Sequence, residues 1–309
     1  MKPSPEFPFP VSLGQTVHTA EPWYAEPQEP IEGIGDIVLV ASGKGGVGKS
    51  TVTVNLACAL NRLGKRVGIL DADLYGPSIT RMLGTDCELP VNDEGRSMPV
   101  RNHGVWAASI GNLLPPEAGL VWKGPLVAQT LVQMFRELAW PELDILLVDM
   151  PPGTGDVALT ILEQIPISGA LLVTTPQQMS TVDAARGVAL LHDLDIPVFG
   201  LIENMDRYIC PCCGEEQRLF PAGAVDALAA RKHVKYLGGI PLDPEGHACA
   251  DRGEPLVVSH PEGAVATVFA SLARETEAAL GREREFRRRD ADQQVRAEHE
   301  VFWENLLDD

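Results

Sequence analysis

Apolar residues in this chain gather in short unbroken runs and do not alternate with polar ones. The runs are Ile37–Val40, Val67–Leu70, Ile145–Val148, Ala170–Val173, Val198–Ile202 and a shorter piece at Leu237–Ile240, with stretches of helical spacing between them. Continuous apolar strands need cover on both faces, so the pattern predicts an α/β fold: a mostly parallel sheet with helices on either side. Ligands of such sheets sit beyond the carboxyl ends of the strands, where this chain carries Ser42, Asp71, Asp149, Thr174 and Asn204. Past Gly263, the apolar residues Val265, Val268, Phe269 and Leu272 mark one side of a helix.

Both ends break the pattern. Residues 1–34 hold seven of the chain's 25 prolines without periodicity, which reads as an extended or disordered arm. After Gly281 comes a charged run from Arg282 to Asp290, and the chain closes with Val301-Phe302-Trp303-Glu304-Asn305-Leu306-Leu307. Such a run reads as a solvated terminal helix; the other reading is a partner-binding tail with an apolar tip. The expected organisation is an arm (1–34), a central α/β domain (35–280) and a charged helical extension (281–309).

A chain of 309 residues, 45% of them hydrophobic, is long enough to bury one sizeable core. No run reaches the roughly 18 apolar residues that a membrane helix needs, and the N-terminus lacks the charged-then-apolar order of a secretory signal. A net charge of −18 opposes nucleic acid and anionic membranes alike, since both would be repelled. The expected compartment is therefore the cytoplasm, with no nucleic-acid or membrane partner. Cys58, Cys87 and Cys249 stand singly and read as small buried hydrophobes, whereas the other three cysteines crowd into Cys210-Pro211-Cys212-Cys213.

The first apolar run leads into Gly43-Lys44-Gly45-Gly46-Val47-Gly48-Lys49-Ser50, and this into the helical segment that starts at Thr51. Strand, glycine loop and helix is the order of a phosphate-binding loop. Its glycines let consecutive backbone N–H groups turn toward phosphate oxygens where side chains would clash. The helix adds its positive N-terminal end. Lys49 is expected on the β- and γ-phosphates and Ser50 on Mg²⁺. Lys44 is additional, standing too early in the loop for that contact within its own chain.

Asp71-Ala72-Asp73 closes the second run and Asp149 the third. A carboxylate in that position, beside Mg²⁺ and phosphate, orients or deprotonates an attacking water. Asp73 is the candidate for water activation, Asp71 for the metal's outer shell, and Asp149 for holding Mg²⁺ directly or through water. A plain acidic turn is the other reading of Asp71–Asp73. The segment Pro151-Pro152-Gly153-Thr154-Gly155-Asp156 reads as one that senses the γ-phosphate, with Asp156 either catalytic or a helix N-cap.

Cys210 and Cys213 stand in C-x-x-C spacing, able to share a metal or one cluster iron. A zinc knuckle would want a second ligand pair, and His233 and His247 are isolated. A redox dithiol would want a helix N-terminus, where Pro211 and Gly214 favour a loop. Two ligands per chain complete a four-thiolate [4Fe–4S] cluster only if two chains meet there. Cys212 is expected to point away from a metal held by its neighbours, or to serve as a reserve ligand.

Residues 36 to about 273 resemble the Mrp/ApbC family of iron–sulfur cluster carrier ATPases, within the MinD/ParA/nitrogenase-iron-protein class of P-loop NTPases. The resemblance is carried by the glycine loop with its additional lysine, Asp71-Ala72-Asp73-Leu74-Tyr75-Gly76-Pro77-Ser78 and the stretch Asp149 to Asp156. Val173-Thr174-Thr175-Pro176-Gln177, Glu203-Asn204-Met205, the Cys210–Cys213 pair and Gly239-Ile240-Pro241-Leu242-Asp243 complete it. It implies a homodimer that binds and hydrolyses ATP with Mg²⁺, Lys44 reaching the partner's nucleotide and Asn204 lying near the adenine. It also implies a labile [4Fe–4S] cluster bridged by both thiol pairs and passed to apo iron–sulfur client proteins. Two departures are the proline-rich arm, where many members carry a small folded domain, and the charged tail beyond about Leu280. The competing function is a cluster-free nucleotide switch of the MinD/ParA kind. An electron-transferring reductase would want cysteines near the phosphate-sensing segment, and residues 149–170 have none.

Overall fold

The computed structural model describes residues 28–73, 76–113, 124–153, 155–210 and 212–307. Most of the proline-rich arm, Leu74, Tyr75, Thr154, Pro211 and the side chains of the terminal apolar tip lie outside the described residues. The strands are β1 (Ile34–Ala41), β2 (Val67–Asp71), β3 (Val100–Asn102), β4 (Val105–Ser109), β5 (Leu143–Asp149), β6 (Gly169–Thr174), β7 (Val198–Ile209), β8 (Glu216–Gln217) and β9 (Tyr236–Leu242). The helices are α1 (Lys49–Arg62), α2 (Ile79–Leu83), α3 (Gly124–Glu137), α4 (Asp156–Gln164), α5 (Gln178–Asp193), α6 (Ala224–Lys232), α7 (Pro244–Asp251), α8 (Leu256–Ser259) and α9 (Ala264–Leu307).

One sheet runs β3-β4-β2-β5-β1-β6-β7-β8, with β9 added to β7. The pairs among β4, β2, β5, β1, β6, β7 and β9 are parallel, while β3 on β4 and β8 on β7 are antiparallel. Alternate residues of β1 enter opposite layers. Val38 and Val40 pack with Leu56, Leu60 and Phe269 of α1 and α9. Ile37 and Leu39 pack with Leu131, Phe135, Ile161 and Val188 of α3, α4 and α5. A strand covered on both faces has no solvent side, which is why its sequence is apolar without a break. Each such side chain contributes about 1.5–3 kcal/mol on burial. The mostly parallel sheet with helices on both faces is therefore the observed fold.

Three features depart from the apolar pattern. The β3–β4 hairpin edge carries no long apolar run; β4 is held by parallel pairing to β2, from Gly68↔Trp106 to Asp71↔Ser109. Strand β7 does not stop at Asn204 but continues through Asp206 and Arg207 to Ile209, so polar residues hide its second half. Helix α9 runs through Gly281 without a break. Its charged stretch is anchored as well as solvated: Arg284 Nε donates to Asp36 Oδ2 at 2.6 Å and Arg287 Nη2 to the Ser168 carbonyl at 2.9 Å. Among the described residues, no helix is long and apolar enough to cross a membrane.

Candidate nucleotide site and thiol pair

The glycine loop leaves β1 at the carboxyl edge of the sheet and enters α1 at Lys49, with Gly48 (φ 82) as the cap. Gly46 and Gly48 both have positive φ, which turns successive N–H groups to one side as an L side chain rarely allows. The loop is braced from below. A Cβ on Gly43 would lie 2.3 Å from the Asp183 backbone carbon of α5, and one on Gly48 would lie 2.2 Å from Asn204 Nδ2. On the other side, a Cβ on Gly45 or Gly46 would meet nothing within 4 Å. The loop thus presents an open, N–H-lined face.

Lys49, Ser50 and Asp149 converge at that face. Lys49 Nζ is 2.7 Å from Asp149 Oδ2 and 3.6 Å from Asp73 Oδ2, and it is buried. The contact to Asp149 is an ion pair without hydrogen-bond alignment, so the ammonium's donors are not used up. Ser50 Oγ donates to Asp149 Oδ2 at 2.5 Å, and Thr53 Oγ1 lies 2.7 Å from Asp149 Oδ1. A buried ammonium with unspent donors beside open backbone N–H groups fits triphosphate oxygens. A hydroxyl sharing a buried carboxylate fits a divalent cation. Thr53 was missed in the sequence, although its three-residue spacing from Ser50 on α1 puts both on one helix face.

Asp71 is fully buried and is held by a different set of partners from Asp73. Its carboxylate accepts from the backbone N–H of Asp73, Ser78 and Ile79 and from Ser109 Oγ, at 3.1 to 3.3 Å. It therefore pins the chain that carries Asp73 to the end of β2. Burial, and then the charge of Asp149, push its carboxyl up to about 7. Gly153 N–H donates to the Ser42 carbonyl at 3.0 Å, tying the segment after β5 to the loop. Asp156 is the first residue of α4 and Gly155 is its cap, so the N-cap reading gives way to a first-turn carboxylate facing the helix dipole. Lys44 Nζ reaches Gln177 Oε1 of its own chain at 3.4 Å.

Asn204 donates from Nδ2 to the Val47 carbonyl at 2.8 Å. It also lines a cavity of about 230 Å³ beside the start of α1, with Met205, Pro241, Leu242 and Asp243 on its other walls. A wider cleft of about 650 Å³ along α3, lined by Arg96, Thr130 and Arg136, shares no residue with this chemistry.

Six residues beyond Asn204, β7 ends in the cysteine turn. Cys210 N–H donates to the Glu215 carbonyl at 3.0 Å and Gly214 N–H to the Cys210 carbonyl at 2.8 Å, closing a tight hairpin into β8. The backbone N–H groups of Cys213 and Cys212, with the Cys213 thiol beside them, hold the Cys210 thiol below its ordinary range. N–H donors aimed at a sulfur favour the thiolate that a metal requires. The Cys212 side chain adds a smaller lowering effect on the same thiol. Among the described residues, no group of three or more His, Cys, Asp or Glu side chains is arranged to hold a metal ion.

A family model described as ParA, NUBPL iron-transfer P-loop NTPase, matches residues 33–277. The iron–sulfur cluster carrier protein of Salmonella typhimurium is 44% identical over 247 residues, 80% of this chain and 67% of that protein. The iron–sulfur protein required for NADH dehydrogenase, mitochondrial, of Arabidopsis thaliana is 43% identical over 244 residues, 79% of this chain and 78% of its own length. A nucleotide-binding protein of Archaeoglobus fulgidus, solved with ADP, superposes with a TM-score of 0.66 at 37% identity, covering 75% of this chain and 90% of that one. The cell division ATPase MinD of Pyrococcus furiosus gives 0.61 at 25% identity, with 79% and 99% covered.

Proposed function

The chain belongs to the family of NUBPL-type iron-transfer P-loop NTPases, and on that premise we propose that it is an ATPase that carries a [4Fe–4S] cluster across a homodimer and delivers it to apo iron–sulfur proteins. One observation carries the reading: strand β7 holds Asn204 against the phosphate loop and leads at its end into the hydrogen-bonded turn of Cys210. A nucleotide site and a thiol site thus share one chain.

In this reading the N–H groups of Gly45–Gly48 and Lys49 Nζ bind the phosphates of ATP, and the adenosine takes the cavity at Asn204. Ser50 and Asp149 would hold Mg²⁺, which would supply neutralising charge to the phosphates. Asp73, beside Lys49, orients the attacking water and accepts its proton. Lys44 leaves Gln177 to reach the nucleotide of a second copy. Cys210 and Cys213 bind the cluster as cargo, and the pair on a second chain supplies the other two thiolates. The cytoplasm is the compartment that suits such a carrier.

Anaerobic reconstitution with iron and sulfide, followed by iron, sulfide and mass analysis, tests this. The expected product has about four irons on two chains, as a four-thiolate cluster requires. Stoichiometric zinc, or a nucleotide-bound dimer without iron, would move the assignment to a cluster-free nucleotide switch.

A further inference from the structure

Strand β7 is two half-strands joined at a strained residue. From Ile202 to Asn204 it pairs in step with β9, Ile202↔Gly238, Glu203↔Gly239 and Asn204↔Ile240, after an earlier shift of register at Leu201↔Tyr236. The next pair is Tyr208↔Leu242, so four steps on β7 span two on β9. Met205 lies at the break with φ 59, a left-handed conformation that is uncommon outside glycine. The first half is fastened to the phosphate loop through Asn204 and Val47. The second half ends in the cysteine turn.

Asp206 and Arg207 hold the second half in place. A Cβ on Gly239 would lie 2.2 Å from Asp206 Oδ2, so the Asp206 carboxylate fills the space that a side chain at 239 would take. Gly239 is the register partner of Glu203, which puts the two buried carboxylates on the same face of the sheet. Glu203 Oε2 accepts from the Tyr236 hydroxyl at 2.7 Å, yet Glu203 Oε1 and Asp206 Oδ1 are buried without a hydrogen bond. Arg207 Nη1 donates to Asp206 Oδ2 at 2.6 Å, and its Nε forms an ion pair with Glu216 of β8 at 3.3 Å. Arg207 therefore bridges the buried carboxylate and the far arm of the cysteine hairpin. Left-handed methionine and unpaired buried oxygens both cost free energy, and strain of this kind collects at ligand clamps and switch segments.

We propose that residues 204–207 couple the phosphate loop to the thiol pair within one chain, with Arg207 as the positioning residue for Cys210 and Cys213. Nucleotide that reseats Val47 and Gly48 displaces Asn204, the Met205 bulge takes up the displacement, and Asp206 and Arg207 pass it through Glu216 to the hairpin. This rests on the nucleotide and thiol assignments above but needs no second chain.

The test is the alkylation rate of Cys210 and Cys213, resolved by mass spectrometry, in the full chain with and without Mg²⁺ and a non-hydrolysable ATP analogue. Fluorescent-nucleotide binding and Co²⁺ titration of the thiols run in parallel. Saturating nucleotide is expected to change the rate about fivefold or more, the usual scale of coupled sites. In Arg207→Gln, and in Glu216→Gln at an exposed position that leaves the fold intact, nucleotide affinity stays as it was and the rate change disappears. A rate change surviving in both variants overturns the coupling. So does an unresponsive wild-type chain that binds nucleotide and titrates with Co²⁺. A chain that binds no nucleotide, or whose thiols take no Co²⁺, overturns the functional assignment and the coupling with it.

Discussion

The Thr53 hydroxyl lies 2.7 Å from Asp149 Oδ1, and both side chains are sealed from solvent. With Ser50 on the other oxygen, two hydroxyls from one face of α1 set the orientation of the carboxylate. Thr53→Val keeps the shape and removes the donor, leaving a buried oxygen unpaired at about 1–3 kcal/mol. The urea midpoint should fall, and half-maximal nucleotide binding should need more Mg²⁺; Thr53→Ser should restore both. A folded Thr53→Val protein with ordinary Mg²⁺ dependence would show that Thr53 does not set the carboxylate.

Gly43 and Gly45 separate packing from phosphate binding. Alanine at 43 places a methyl 2.3 Å from the α5 backbone, so the loop or the helix must move and stability should drop by about 1–3 kcal/mol. Alanine at 45 meets nothing in the free protein. Its melting temperature should therefore match wild type while nucleotide affinity falls. Normal affinity in Gly45→Ala, measured by calorimetry, would remove phosphate from the open face of the loop.

Arg284 is half-exposed but Asp36 is buried, so the pair holds the charged part of α9 to the foot of β1. Arg284→Ala strips a cation from a buried carboxylate, with an expected loss of about 1–3 kcal/mol after allowing for the exposed partner. Amide exchange over residues 282–307 should quicken. Unchanged exchange would mean that α9 is held without this contact.

Asp144 accepts from Arg66 at the start of β5, and Arg66 holds its carboxyl below the ordinary value of 3.8. A lowered carboxyl binds its proton less tightly when folded, so its contribution to stability is complete above 3.8 and is lost as pH falls through the lower folded value. The pair is largely exposed, so the effect is small. Asp144→Asn should cost a little stability at neutral pH and converge with wild type below the folded value, so that the acid side of its stability–pH curve is flatter; a difference that persists undiminished at low pH would contradict this assignment.

The sheet, its two covered faces and the phosphate loop were legible because each is written in contiguous residues. An apolar run such as Ile37–Val40 reports burial on both faces, and Gly43–Ser50 encodes its own backbone turn and its own chemistry. The Cys210–Cys213 pair was legible for the same reason, down to its tight turn. Residues that act through a distant partner were not. Thr53 reads as a helix residue until β5 brings Asp149 beside it, and nothing in the sequence around Asp71 announces that the Ser78–Ile79 backbone closes over its carboxylate.

What the sequence determined by itself was therefore local: which segments are strands, where the glycine loop turns and where thiols gather. Tertiary structure alone decided which distant residues meet, as with Arg284 on Asp36, the Asp183 backbone under Gly43 and Asp206 over Gly239. Backbone conformation and burial pattern are set by neighbours along the chain. The pairing of polar groups is set by strand order and register, which place residues from distant segments side by side.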